Sequence, residues 1–84
     1  MMRLLLYVEL MNSLDAVAKL MLTVKQGGLS LENISINSMD GGQRLSATLT
    51  LVGREEKGEW LARKLLNFPY FHKTRLLKLS EPEA

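Results

Sequence analysis

The chain has 84 residues and a mass of 9.5 kDa, with 46% hydrophobic and 24% charged side chains. That is the composition of one small globular domain, and it excludes a catalytic barrel or a doubly wound sheet. There is no cysteine and a single histidine, and the formal charge is only +2; neither a disulfide nor a His/Cys zinc cluster can staple so small a core, and oligomerisation is the remaining device.

Residues 3–10 read as a strand, short and largely apolar, stopped by Asn12 and Ser13. Leu4, Leu6, Val8 and Leu10 fall on one face, and Leu5 and Tyr7 with Glu9 on the other, the pattern of a central strand covered on both sides. Asn12 or Ser13 then caps a helix over residues 13–26, with Asp15 in its first turn and a stripe of Leu14, Val17, Leu20, Met21 and Val24. Gly27 and Gly28 end it. Residues 29–37 form a second strand whose parity slips between Leu31 and Ile34. A bend or bulge is expected near Glu32 and Asn33, with Ile34 and Ile36 toward the core.

Ser38-Met39-Asp40-Gly41-Gly42 is the strongest turn signal, since these residues tolerate the positive φ of a tight hairpin. It leads to a strand over 43–52, where Leu45, Ala47, Leu49 and Leu51 alternate with Ser46, Thr48 and Thr50. Gly53 is expected to break that strand. Arg54-Glu55-Glu56 opens a second helix with a buried stripe of Trp60, Leu61, the Lys64 stem, Leu65 and Phe68, and Pro69 stops it. Residues 71–79 make a last strand, basic at its start as suits a sheet edge. One domain is expected over 1–80, with 81–84 a flexible tail.

The order β-α-β-β-α-β is the ferredoxin-like split βαβ unit, an α+β fold with a four-stranded antiparallel sheet and both helices on one face. If Leu4, Leu6 and Val8 face the helices, Leu5 and Tyr7 lie on the open face beside Ser46, Thr48 and Thr50. A partner is expected to cover part of that face.

Little in the sequence resembles an active site. His72 stands alone beside Lys73, the carboxylates form no metal-ligand spacing, and Ser13 and Ser38 have no nearby base. Gly27-Gly28 ends a helix, where a phosphate loop would need to start one. A Cys-x-x-Cys metal carrier is ruled out by composition. An RNA-recognition sheet would need aromatics on both central strands, and only Tyr7 qualifies. The basic residues cluster mildly, at Arg63-Lys64 and His72-Lys73-Thr74-Arg75, so no nucleic-acid partner is expected. No apolar run approaches the roughly 20 residues of a membrane span, and charge interrupts the amino terminus too early for a signal peptide. The expectation is a soluble, unprocessed cytoplasmic binding module.

Tyr7-Val8-Glu9 leading into the first helix, the passage from Val24 through Gly27-Gly28-Leu29 to Ile34-Ser35-Ile36, and Thr48-Leu49-Thr50-Leu51-Val52 together resemble an ACT domain. More narrowly, they resemble the short single-ACT regulatory subunits of acetohydroxyacid (acetolactate) synthase, an enzyme of branched-chain amino-acid biosynthesis. The resemblance spans residues 3–79. It implies a non-catalytic subunit that pairs side by side with a second copy into an eight-stranded sheet. It also implies association with a catalytic large subunit that itself carries thiamine diphosphate, magnesium and FAD, none of them bound by this chain.

In effector-binding members an amino acid sits between the loop after the first strand and the second strand of a neighbouring domain. Here that corresponds to Asn12, Ser13, Leu14 and Asp15, with Asn33 and Ile34 across the interface, and no metal ligand or catalytic residue. Those members have a glycine in the loop so that backbone approaches ligand closely. Met11 to Asp15 has none, and Asp15 would repel a carboxylate, which predicts weak or no sensitivity to valine. The alternatives are a stand-alone ACT module that binds a small amino acid and regulates another enzyme, and a nucleic-acid-binding ferredoxin-like domain.

Overall fold

The computed structural model describes residues 1–80; the expected tail, 81–84, lies outside them. The elements run β1 (Met2–Met11), α1 (Leu14–Gln26), β2 (Ser30–Met39), β3 (Arg44–Gly53), α2 (Glu55–Leu65) and β4 (Phe71–Ser80). They form one antiparallel sheet in the order β2-β3-β1-β4, so the expected βαββαβ fold is the observed one.

Alternation on the two central strands makes the core. Leu4, Leu6, Val8 and Leu10 of β1 and Ala47, Leu49 and Leu51 of β3 are fully buried under the helices. They pack with Ala16, Leu20 and Val24 of α1, Leu61 and Leu65 of α2, and Phe71 of β4. The register sets Leu4 opposite Leu51, Leu6 opposite Leu49 and Val8 opposite Ala47, so each apolar row continues across both strands. The other set points to a face that no helix of the described residues covers. β1 is therefore central in the sheet but covered on one side only, contrary to the two-sided covering that its apolar content suggests.

β2 carries the expected irregularity: pairing with β3 jumps from Leu31 to Asn33, leaving Glu32 as the extra residue. Ile34 and Ile36 lie opposite Leu49 and Ala47 and so face the helix side, although Ile34 is only half-buried and Ile36 remains exposed. The hairpin to β3 turns through Asp40, Gly41 and Gly42, all at positive φ, as the Asp-Gly-Gly run predicts.

Three expectations need correction. Gly53 does not break β3; it is buried, pairs with Met2, and a Cβ there would collide with the Leu29 side chain. α2 ends at Leu65, capped by Leu66, so Phe68 packs on the core from the turn beyond the helix. The buried residues of α1 are Ala16, Leu20, Thr23 and Val24, whereas Leu14 is 86% exposed. Thr23 can be buried because its hydroxyl donates to the Lys19 carbonyl oxygen at 2.6 Å.

Candidate functional site

The residues that the ACT resemblance singles out lie in two groups. Asn12, Ser13, Leu14 and Asp15 form the turn from β1 into α1. Ser13 is the N-cap: its Oγ accepts from the Ala16 backbone amide at 3.1 Å. Asn12 Nδ2 donates to the Gly42 carbonyl oxygen at 2.7 Å, which ties this turn to the β2–β3 hairpin. Leu14 and Asp15 are both exposed.

Asn33 and Ile34 lie further down the sheet, in the rows of Leu5 and Leu6. That is about 17 Å along the strands from Met11 and about 10 Å across them, so one chain does not bring the two groups together. Asn33 is also on the open face, opposite Thr50, while Ile34 is on the helix face, opposite Leu49. Neighbouring strand residues point to opposite sides. One ligand lying on one face could therefore take only one of them as a side-chain contact.

No pocket forms among the described residues. Nor do they contain a group of three or more His, Asp or Glu suited to a metal ion, and no helix is long and apolar enough to cross a membrane. The chemistry available is that of surfaces, and two of these stand out.

The first is the β2 edge and the α1 flank above it. At about 100° per residue, Val17, Met21 and Leu14 fall roughly 60–120° to one side of Leu20, and Thr23 and Lys19 roughly 60–100° to the other. Lys19 Nζ stands 4.9 Å from the centroid of the Phe68 ring, beyond the end of α2, so that flank faces α2. The flank of Val17, Met21 and Leu14 faces the opposite way, toward β2. There, Leu31 at 42% and Ile36 at 37% exposure continue an apolar strip. From Asn33 to Met39 the edge strand has no charged side chain. Val17 and Met21 are half-buried and pack against the core, as the sequence pattern expects, while Leu14 at the start of the helix stands exposed.

The second surface is the open face of the sheet. Several of its charged groups are paired with one another. Arg3 Nε and Nη2 grip the two oxygens of Glu32 at 2.9 and 3.3 Å, which raises the guanidinium pKa and lowers that of Glu32. Tyr7 Oη donates to Glu9 Oε2 at 3.0 Å, Arg44 Nη1 reaches Glu9 Oε1 at 3.5 Å, and Arg44 Nε holds Asp40 at 2.9 Å. The Glu9 carboxylate, accepting that hydrogen bond, raises the Tyr7 phenol pKa. β2 and β3 contribute Asn33, Ser35, Asn37, Thr50, Thr48 and Ser46, and β1 and β4 contribute Leu5, Tyr7, Leu77, Arg75 and Lys73.

No protein-family model matches the chain, and no curated protein matches it. Solved structures do. The C-terminal domain of the MgtC protein from Mycobacterium tuberculosis superposes with a TM-score of 0.72 at 15% identity, over 99% of this chain and 93% of that one. The ACT domain of GTP pyrophosphokinase from Chlorobium tepidum gives 0.72 at 13% identity, over 90% and 97%. A homoserine dehydrogenase from Thiobacillus denitrificans gives 0.76 at 10% identity, and there 95% of this chain matches only 18% of the larger protein. At such identities the likeness is one of fold: the chain has the βαββαβ architecture of an ACT domain.

Proposed function

We propose that the chain is a non-catalytic regulatory module that works as a pair of copies joined along β2. Its partner in this reading is the catalytic subunit of acetolactate synthase, which it stabilises and activates with weak or no sensitivity to valine. The observation that carries the reading is the difference between the two sheet edges. β4 bears His72, Lys73, Arg75 and Lys78, and its register with β1 is broken twice. Charges and bulges of this kind keep an edge from pairing. β2 is a ten-residue strand, uncharged beyond its bulge, with the apolar flank of α1 alongside. A second copy added there would extend the sheet to eight strands and remove Leu14, Met21, Leu31 and Ile36 from water, a favourable term for a core this small.

The ACT-like fold supports a regulatory role, and the choice of enzyme rests on the sequence resemblance in the segments 7–9, 24–36 and 48–52. Thiamine diphosphate, magnesium and FAD belong to the catalytic chain in this reading. The test is reconstitution: the purified chain should co-elute with an acetolactate synthase catalytic subunit and raise its turnover. No co-elution together with unchanged turnover rejects the enzyme assignment.

A second reading, a sensor of a small amino acid regulating another enzyme, is favoured by the exposed start of α1 at Leu14; Asn33 or Ile34 would then come from a second copy. Calorimetry with branched-chain and aromatic amino acids separates the two. Tight binding that is lost in Asn12→Ala would favour the sensor; absence of heat favours the subunit.

A further inference from the structure

With β2 given to a second copy, the β1/β4 half of the open face is left without a partner. We infer that it docks an amphipathic helix of a partner protein, one that sets carboxylates beside an apolar stripe. This rests on the proposed function only in assigning the β2 edge.

Three features of the face define the occupant. The cross-strand pairs Leu5–Leu77 and Tyr7–Arg75 put an apolar patch next to a cation, and Leu77 is 51% exposed. Arg3 and Arg44 are already neutralised by Glu32 and by Glu9 with Asp40. Lys73 and Arg75, both exposed, make no ion pair among the described residues. Lys73 stands opposite Glu9 in the register, a carboxylate already shared by Tyr7 and Arg44; with Arg75 it borders the apolar patch and calls for carboxylates on whatever covers it. The width fits as well: two strands span about 10 Å and a helix with its side chains is about 10–12 Å across.

Single-stranded nucleic acid fits less well. Among the described residues Tyr7 is the only aromatic on this face, its hydroxyl is held by Glu9, and that carboxylate repels phosphate where a base would stack. A second copy laid face to face would set its own Lys73 and Arg75 in the same cationic surface.

The test is an NMR titration of the intact chain with a helical peptide that has a leucine stripe bordered by glutamates, beside the same peptide with lysines for the glutamates. The acidic peptide should shift the amides of Leu5, Tyr7, Arg75 and Leu77 and bind about ten-fold more tightly than the basic one. Lys73→Glu with Arg75→Glu should reverse that preference, and Leu77→Ser should weaken both peptides. Equal affinity, no binding, shifts confined to other surfaces, or tighter binding of oligouridylate at the same residues would overturn the inference. Pairing along β2 is read separately by sedimentation, so failure here and failure of the proposed function are distinguishable.

Discussion

Gly58 lies inside α2, where exchange for alanine would ordinarily raise helix stability by about 1 kcal/mol. In this fold a Cβ there would stand 2.5 Å from Leu4 Cδ1 and 3.5 Å from Leu76 Cδ2, because the helix lies close against β1. Gly58→Ala is therefore expected to lose about 1–2 kcal/mol net in urea unfolding, since overpacking outweighs propensity; an unchanged or raised midpoint would contradict this packing. Ser13→Ala should cost about 1 kcal/mol by the same measurement, through loss of the cap to Ala16. The sequence narrows the cap to Asn12 or Ser13, and the bond to Ala16 settles it on Ser13, whereas nothing local to Gly58 reveals which strand it approaches. The Arg3–Glu32 pair predicts a pH effect of definite sign. Glu32 is held below the ordinary glutamate value, so the pair adds stability above the unfolded-chain pKa and loses it as pH falls through the lower folded value. Both groups are exposed, so the contribution to stability is small and screened by salt. Carboxyl NMR should place the Glu32 midpoint below the ordinary value and return it there in Arg3→Gln.

Among the elements, β3 and the hairpin before it were the most legible. Leucines and an alanine alternate with serine and threonine, and Asp-Gly-Gly supplies the positive φ that the turn requires. β1 reads as central because both of its faces are largely apolar, and it is central, but the helices cover only the face of Leu4, Leu6, Val8 and Leu10, which local periodicity does not report. On α1 the helical stripe holds for Val17, Leu20, Met21 and Val24, which are buried or packed against the core, and fails for Leu14, which the start of the helix leaves exposed, while the flank beside Phe68 is led by Lys19. Which edge β2 would occupy depends on strand order, and this is fixed only when the chain closes into a sheet. If the strip along β2 is an interface, Ile36→Lys should leave the single chain folded, changing its stability by no more than about 1 kcal/mol because the side chain is already 37% exposed. It should weaken pairing about ten-fold or more by placing two cations in the seam. Equal dimerisation of the variant, measured by sedimentation over a dilution series, would remove β2 from the interface.

At the scale of the whole molecule, the candidate effector residues were legible only through resemblance. The physical pattern yields surfaces: an edge uncharged beyond Glu32 with an apolar helix flank above it, and an open face on which Lys73 and Arg75 make no ion pair among the described residues. A chain of this size, without disulfide or zinc staple, has one inexpensive way to enlarge its core, which is to share a sheet with a copy of itself. Sedimentation equilibrium of the wild-type chain beside Ile36→Lys reads that directly. The wild type should run at twice the 9.5 kDa chain mass at micromolar concentration, and the variant at the mass of one chain with an unchanged circular dichroism spectrum. A wild-type chain that stays monomeric at high concentration, or a variant that dimerises as readily, would contradict the pairing on which the regulatory reading depends.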